Sequence, residues 1–237
     1  MNTRKIATLT GWLMVVTFVT SIPAYFILYA PVRDNPNLIT GAGADPTTSV
    51  AFGATLELVL IIANVGTAVV PYALFKRYSE SLALGYVAAR LVEAIFIAIG
   101  IISLLTFLFM RQEGTAGTNA ALGQAFVAIY DRAFLIGPGF FAGVANGMIL
   151  GYLMYRSGLV PRGMAMLGLI GGPLVALSGI AVMFDVIKRG SALQGIATIP
   201  EALWELSFGI YLIVKGFKPT PMLAGTDREP VAPGAGS

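Results

Sequence analysis

The chain contains no cysteine and no histidine among its 237 residues. Those absences exclude disulfides, thiolate or imidazole metal sites, histidine-ligated haem and any serine–histidine or cysteine–histidine nucleophile pair. Charge is scarce as well. Only 11% of residues are charged, where a soluble domain carries about 25%. The 15 basic and 12 acidic residues leave a net charge of +3, and the basic ones sit at the ends of apolar runs rather than in a patch. That distribution is not a nucleic-acid-binding signature. What remains is 57% hydrophobic with a mean hydropathy of +0.81, a composition suited to lipid.

Six apolar runs, at residues 6–30, 51–75, 82–110, 122–155, 163–187 and 196–215, are each long enough for the roughly 20 residues of a spanning helix. They predict an all-α polytopic membrane protein, with one six-helix transmembrane domain over residues 1–217. The first run exceeds the 7–15 apolar residues usual in a signal peptide, and Pro31 follows Ala30 directly, so it reads as an uncleaved helix. Breaks are expected at Gly137-Pro138-Gly139 in the fourth run and at Gly171-Gly172-Pro173 in the fifth. Pro161 suits a helix start. Residues 218–237 are rich in proline and glycine, have no means of burying anything, and are expected to be a disordered cytoplasmic tail.

Orientation follows from loop charge. With the N-terminus inside, one side carries Arg4, Lys5, Lys76, Arg77, Arg156, Arg162, Lys215, Lys218 and Arg228, against Arg33, Arg111, Lys188 and Arg189 on the other. Positive residues favour the cytoplasm, which places both termini inside. Pairing the runs also suggests three helical hairpins of roughly 75–80 residues each, although any six-helix protein with basic cytoplasmic ends looks similar.

The third run carries Arg90 and Glu93 inside almost thirty apolar residues. They share one helix face, with Tyr86 a turn away. A charged side chain at mid-bilayer is costly and usually faces a partner or a wet cavity. At about 1.5 Å per residue, Glu93 lies about 18 Å into its helix, and Glu205 approaches from the sixth helix at similar depth. Glu57 and Asn64 share a face of the second helix, as do Glu201, Trp204 and Glu205 on the sixth; Asp131 and Arg132 occupy the fourth. Four of the six helices are thus expected to aim ionisable groups at similar levels. Five acids against two bases cannot all be ionised in low dielectric without other partners. One glutamate at least is expected to hold a proton or a bound cation, with Arg90 as shared counter-ion to Glu93 and Glu205. A purely structural network fixing helix register stays open beside this ligand or proton site.

The fourth run carries Gly139, Gly143, Gly147 and Gly151 at four-residue spacing, a glycine zipper that lets another helix approach closely. Packing within the chain is expected, with homo-oligomerisation as the alternative. Asn146 lies on the flank of the ridge and is placed to donate a hydrogen bond across the contact.

Arg90-x-x-Glu93, Leu159-Val160-Pro161-Arg162, the glutamates of the sixth run and the Val214-Lys215-Gly216-Phe217 exit resemble the bacterial multi-pass membrane proteins called domain of unknown function 4386. The resemblance covers nearly the whole chain up to Lys218. It implies about six helices in a bacterial inner membrane and implies no activity.

Three functions fit these residues. The first is binding or moving a small cationic or amphiphilic molecule in an acid-lined intramembrane cavity; broken helices recur at transporter sites. The second is a carboxylate-dependent intramembrane enzyme using Glu93 or Glu205 as acid–base. Glu201 and Glu205, at i and i+4, offer two oxygen ligands to a metal, but no second dense acidic motif completes such a site. The third is a structural or accessory subunit acting through the glycine ridge. Binding is favoured over catalysis, with no cofactor and no metal expected, and with the lipid bilayer and a small molecule as partners.

Overall fold

The computed structural model describes residues 2–115 and 119–223. Six helices are long and apolar enough to cross a membrane: α1 (Thr3–Leu28), α2 (Thr47–Phe75), α3 (Glu80–Gln112), α4 (Ala120–Ser157), α5 (Arg162–Met183) and α6 (Ala192–Val214). There is no strand among the described residues. The chain is an integral membrane protein with an all-α fold. Each helix overlaps one of the six apolar runs, and three ends differ by four residues, the first being the α2 start at Thr47 instead of residue 51. α5 stops at Met183, and residues 184–191 form the turn that starts α6 four residues earlier than its hydropathy suggests.

Side-chain caps set several of these starts. The Asn2 carboxamide oxygen accepts from the Lys5 N–H (2.9 Å), and the Ser79 and Ser191 hydroxyls accept from Leu82 and Gln194. Each satisfies one of the four donors a helix N-terminus leaves unpaired. Pro161 precedes the first residue of α5, where its missing N–H costs nothing. Before α2, the exposed Asp45 carboxylate accepts from the Thr47 hydroxyl (2.7 Å) and N–H (3.1 Å). Those bonds hold its carboxyl below the usual range. At the other end of the chain the Arg4 guanidinium donates to the carbonyls of Ile213 (2.7 Å) and Val214 (3.2 Å), which closes the C-terminus of α6.

Each helix packs on its neighbours in sequence, and α6 returns to α1, so the six form a closed ring. The start of α1 and the end of α6 share a face with the 76–79 and 158–161 turns. There Phe75 packs edge-on against Phe217 at 6.0 Å, and the Lys218 N–H donates to the Leu159 carbonyl. We call this the terminal face. It is plugged by a core that includes Met14, Tyr86, Leu150, Trp204 and Phe208. At the far face a smaller core gathers Tyr29, Ile39, Leu104, Phe107 and Tyr130. Residues 218–223 pack back on the terminal face, ending in a short turn of 3-10 helix at Pro221–Leu223. These first residues of the expected disordered tail are therefore seated on the bundle; the rest of that tail, 224–237, lies outside the described residues.

The two expected helix breaks differ from each other. At Gly137-Pro138-Gly139 the helix continues as a π-turn over Gly137–Phe141, and a second π-wound stretch covers Gly143–Leu150. Pro138 has no N–H to bond one turn back, and widening to π-winding accommodates that loss. At Gly171-Gly172-Pro173 the expectation of an interruption is corrected: α5 runs through all three residues as continuous α-helix. Neighbouring backbones press on both glycines there and hold the helix in place.

Candidate functional site

Four glycines on α4 set the position of the site. A Cβ built on Gly143 would stand 2.6 Å from the Gly172 carbonyl oxygen, and one on Gly147 would meet the Gly172 Cα. Gly151 faces Leu169 and Gly168, and the Gly139 carbonyl faces Gly179. The ridge therefore meets α5 of the same chain, and its mates include Gly168, Gly172 and Gly179. Gly171 carries α6, and Gly168 does so as well on the side away from Gly151. A Cβ on Gly171 would meet the Glu201 backbone, and one on Gly168 would stand 2.7 Å from the Trp204 indole nitrogen. α5 is thus a thin spacer that brings α4 and α6 close together. The sequence marks Gly171 and Gly172 only as a helix break and gives no packing role to the α5 glycines, although Gly168 and Gly172 repeat the same four-residue spacing.

That approach lets Asn146 work as a hub. It is fully buried, and its Nδ2 donates to Glu205 Oε1 in a short contact. Its Oδ1 accepts from the Tyr86 hydroxyl (2.9 Å), and its backbone carbonyl accepts from the Trp204 indole N–H (2.9 Å). The Tyr86 oxygen also lies 3.4 Å from the Thr67 hydroxyl. Thr67 was not picked out from the sequence, yet it stands three residues after Asn64 and so shares its face.

Arg90 and Glu93 form a buried ion pair, Nη1 to Oε2 at 2.8 Å. Arg90 Nε donates to the Asn64 carbonyl at 3.4 Å, tying α3 to α2. The expected triad with Glu205 is not formed. No Arg90–Glu205 ion pair is made among the described residues, and the amide of Asn146 holds Glu205 instead. The π-wound stretch of α4 carries that amide, which is why helical periodicity alone did not find the pairing.

Glu201 differs from its neighbours. It is 3% exposed, and neither carboxylate oxygen has a hydrogen-bond partner among the described residues. Its Oε2 sits against Gly147 and Gly171, in space that a single methyl group on either would occupy. Burying a polar group without partners is costly, which sets Glu201 apart from Glu57, Glu93 and Glu205, each of which has a hydrogen-bond partner.

Glu201, Glu205, Glu93, Arg90 and Asn64 line one cavity of about 700 Å³ inside the far half of the ring. Its walls are largely apolar and include Phe18, Ile22, Ile97, Phe134 and Val175. At the far face it ends beneath a clamp built on Tyr25. The Arg33 guanidinium lies 3.8 Å over the Tyr25 ring, and the Tyr25 hydroxyl accepts from Arg33 (2.6 Å) and Arg189 (3.1 Å). Asp131 bridges the two arginines, at 3.4 Å from Arg33 and 2.8 Å from Arg189. The sequence offered Arg33 and Arg189 only as loop charges.

Three residues expected in the central cluster lie elsewhere. Glu57 is buried with its oxygens accepting from the phenols of Tyr29 (3.0 Å) and Tyr130 (3.2 Å). It stands about 10 Å nearer the far face than Asn64, seven residues along the same helix. Asp131 belongs to the clamp, and Arg132 is exposed. Glu57 and Asp131 are thus separated from Glu93 and Glu205 by depth as well as by direction within the bundle. Tyr86 and Trp204 stand behind the cavity and support it through Asn146. Among the described residues no group of three or more carboxylates is close enough to hold a metal ion.

A family model described as a domain of unknown function (DUF4386) matches residues 9–216. No curated protein and no solved structure matches the chain.

Proposed function

The chain belongs to the family of domain of unknown function 4386, and from its cavity chemistry we propose that it binds or moves a small cationic or amphiphilic molecule within the membrane. The observation that carries this reading is Glu201, a buried carboxylate with no hydrogen-bond partner among the described residues, which lines a cavity large enough for a small organic molecule. Around it stand Glu93 and Glu205 with Arg90 as the lining base at that level. Arg90 is engaged by Glu93 and Glu205 by Asn146, so a positive group from outside the chain is what Glu201 lacks. The spread of the carboxylates and the apolar walls suit an organic cation better than a bare ion. The glycine ridge is covered by α5 of the same chain, which weighs against an accessory role built on that ridge.

Thermal unfolding of the purified chain with tetramethylammonium tests the reading. A ligand at 100 times its Kd adds about 2.7 kcal/mol to the folded state, so the midpoint of the wild type is expected to rise. Glu201→Gln keeps the shape and removes the charge; it is expected to fold at least as well and to lose the rise. A cation effect that survives Glu201→Gln unchanged, or no effect in the wild type, refutes the proposal.

We further propose that the protein resides in a bacterial inner membrane with both termini cytoplasmic, on the excess of basic residues at the terminal face. Reporter fusions after Lys5, Glu80, Gly114 and Gly225 are expected to read inside, inside, outside and inside. A periplasmic signal from the fusion after Lys5 or Glu80 reverses the orientation.

A further inference from the structure

We propose that the cavity opens sideways into the lipid through a window between α1 and α6, and that its occupant is a single-chain amphiphilic cation. In this arrangement the ammonium head lies at Glu201 and the alkyl chain lies in the window. The inference rests on the cation-binding reading above and adds the class of the ligand and its route.

The window is defined by where the α1–α6 seam is closed and where it is not. Toward the terminal face the two helices cross in direct backbone contact. A Cβ on Gly11 would stand 2.6 Å from the Gly209 carbonyl oxygen, and one on Gly209 would stand 3.0 Å from the Met14 Cβ. At the far end the seam is tied again by the Arg189–Tyr25 hydrogen bond. Between these two closures the cavity reaches both helices. Ser21, Ile22 and Phe26 line it from α1, and Gly195, Thr198 and Ala202 line it from α6. Several of these lining residues are also exposed on the outside of the bundle: Phe26 at 67%, Ile22 at 48%, and Gly195 and Thr198 as well. A residue that lines a cavity and faces the exterior marks an opening.

α6 itself tells the same. From residue 192 to residue 200 it has no buried residue, and burial begins at Glu201. Nothing lies within 4 Å of where a Cβ on Gly195 would be. At about 1.5 Å per residue, Gly195 is about 6 Å and Glu201 about 15 Å from the capping Ser191. The opening therefore leads from the far leaflet inward to the carboxylate.

This geometry selects its occupant by charge and polarity together. The inner end offers a buried carboxylate with no hydrogen-bond partner among the described residues, and the route to it is bordered by Phe26, Ile22 and the open face of α6. A fully water-soluble cation uses the inner end alone. An amphiphile with one chain satisfies both, with its chain kept in contact with lipid.

The test uses the full chain in zwitterionic lipid nanodiscs, with tetramethylammonium and dodecyltrimethylammonium as probes. Both are expected to bind the wild type, and both are expected to be lost in Glu201→Gln. Gly195→Trp and, independently, Thr198→Trp fill the window. Each is expected to weaken dodecyltrimethylammonium tenfold or more and to leave tetramethylammonium within twofold. Gly163→Trp, also placed in open space but on the first turn of α5, is expected to change neither. If the window variants weaken both probes equally, or neither, the lateral route is wrong while the cation site stands. If the wild type binds neither probe, the cation-binding reading fails and this inference falls with it.

Discussion

Arg90→Ala is expected to cost about 3–5 kcal/mol of stability, the usual penalty for removing one partner of a buried ion pair. Arg90 is 2% exposed and Glu93 5% exposed, so the abandoned carboxylate cannot reach water without opening the bundle. The loss also removes the Arg90 Nε bond to the Asn64 carbonyl, which joins α3 to α2. Against a total of about 5–15 kcal/mol for a typical domain, that is a large share of the stability, and the unfolding midpoint is expected to fall well below that of the wild type. Glu205→Gln is expected to do far less. The glutamine oxygen still accepts from Asn146, and Arg90 keeps Glu93. The double substitution Arg90→Met with Glu93→Gln separates pairing from packing. Removing both charges restores a good part of the loss if the stranded acid causes it. Unfolding midpoints in detergent for the four proteins decide the matter. A Glu205→Gln variant as damaged as Arg90→Ala would show that Arg90 serves Glu205 after all.

The second large effect is expected at the glycine ridge. Gly147→Leu places a Cβ onto the Gly172 Cα and within 2.6 Å of Glu201 Oε2. The first neighbour is backbone and cannot rotate away, so α4 and α5 have to part. Overpacking of this kind costs about 1–3 kcal/mol and at times more. Gly163→Leu is the matched comparison, since nothing lies within 4 Å of that position; a change within about 0.5 kcal/mol is expected there. The same clash reaches Glu201, so Gly147→Leu is also expected to abolish tetramethylammonium stabilisation in whatever fraction folds. Equal unfolding midpoints for Gly147→Leu, Gly163→Leu and the wild type would mean that the α4–α5 contact is loose.

Both effects trace to features with different legibility. The Arg90–Glu93 pair was readable because i and i+3 lie on one helix face whatever surrounds the helix. The α4 ridge was readable because four glycines at four-residue spacing form a stripe on any α-helix. Pairings between helices were not readable in the same way. Glu57 found the phenols of Tyr29 and Tyr130, one from the end of α1 and one from α4, which are 28 residues before it and 73 after. Glu205 found Asn146, which the sequence placed as a donor across the helix contact without indicating its acceptor. In each case the sequence supplied a depth and a face, while the partner depended on which helix stood opposite and how it was rotated.

The sequence by itself determined that this is a six-helix membrane protein, because six apolar runs of spanning length admit few other solutions in lipid. It also determined that carboxylates, arginines and amides carry whatever polar chemistry lies inside, since cysteine and histidine are absent. Only the tertiary structure decided that the helices close into a ring in chain order, with α1 meeting α6 at Gly11 and Gly209. It alone gave Glu57 and Asp131 their partners and left Glu201, beside the cavity, with no hydrogen-bond partner among the described residues. The physical reason is that hydropathy and helical period act within one helix. Rotation, neighbour order and the gap between α1 and α6 are set by side-chain packing between segments almost two hundred residues apart, which no local pattern records.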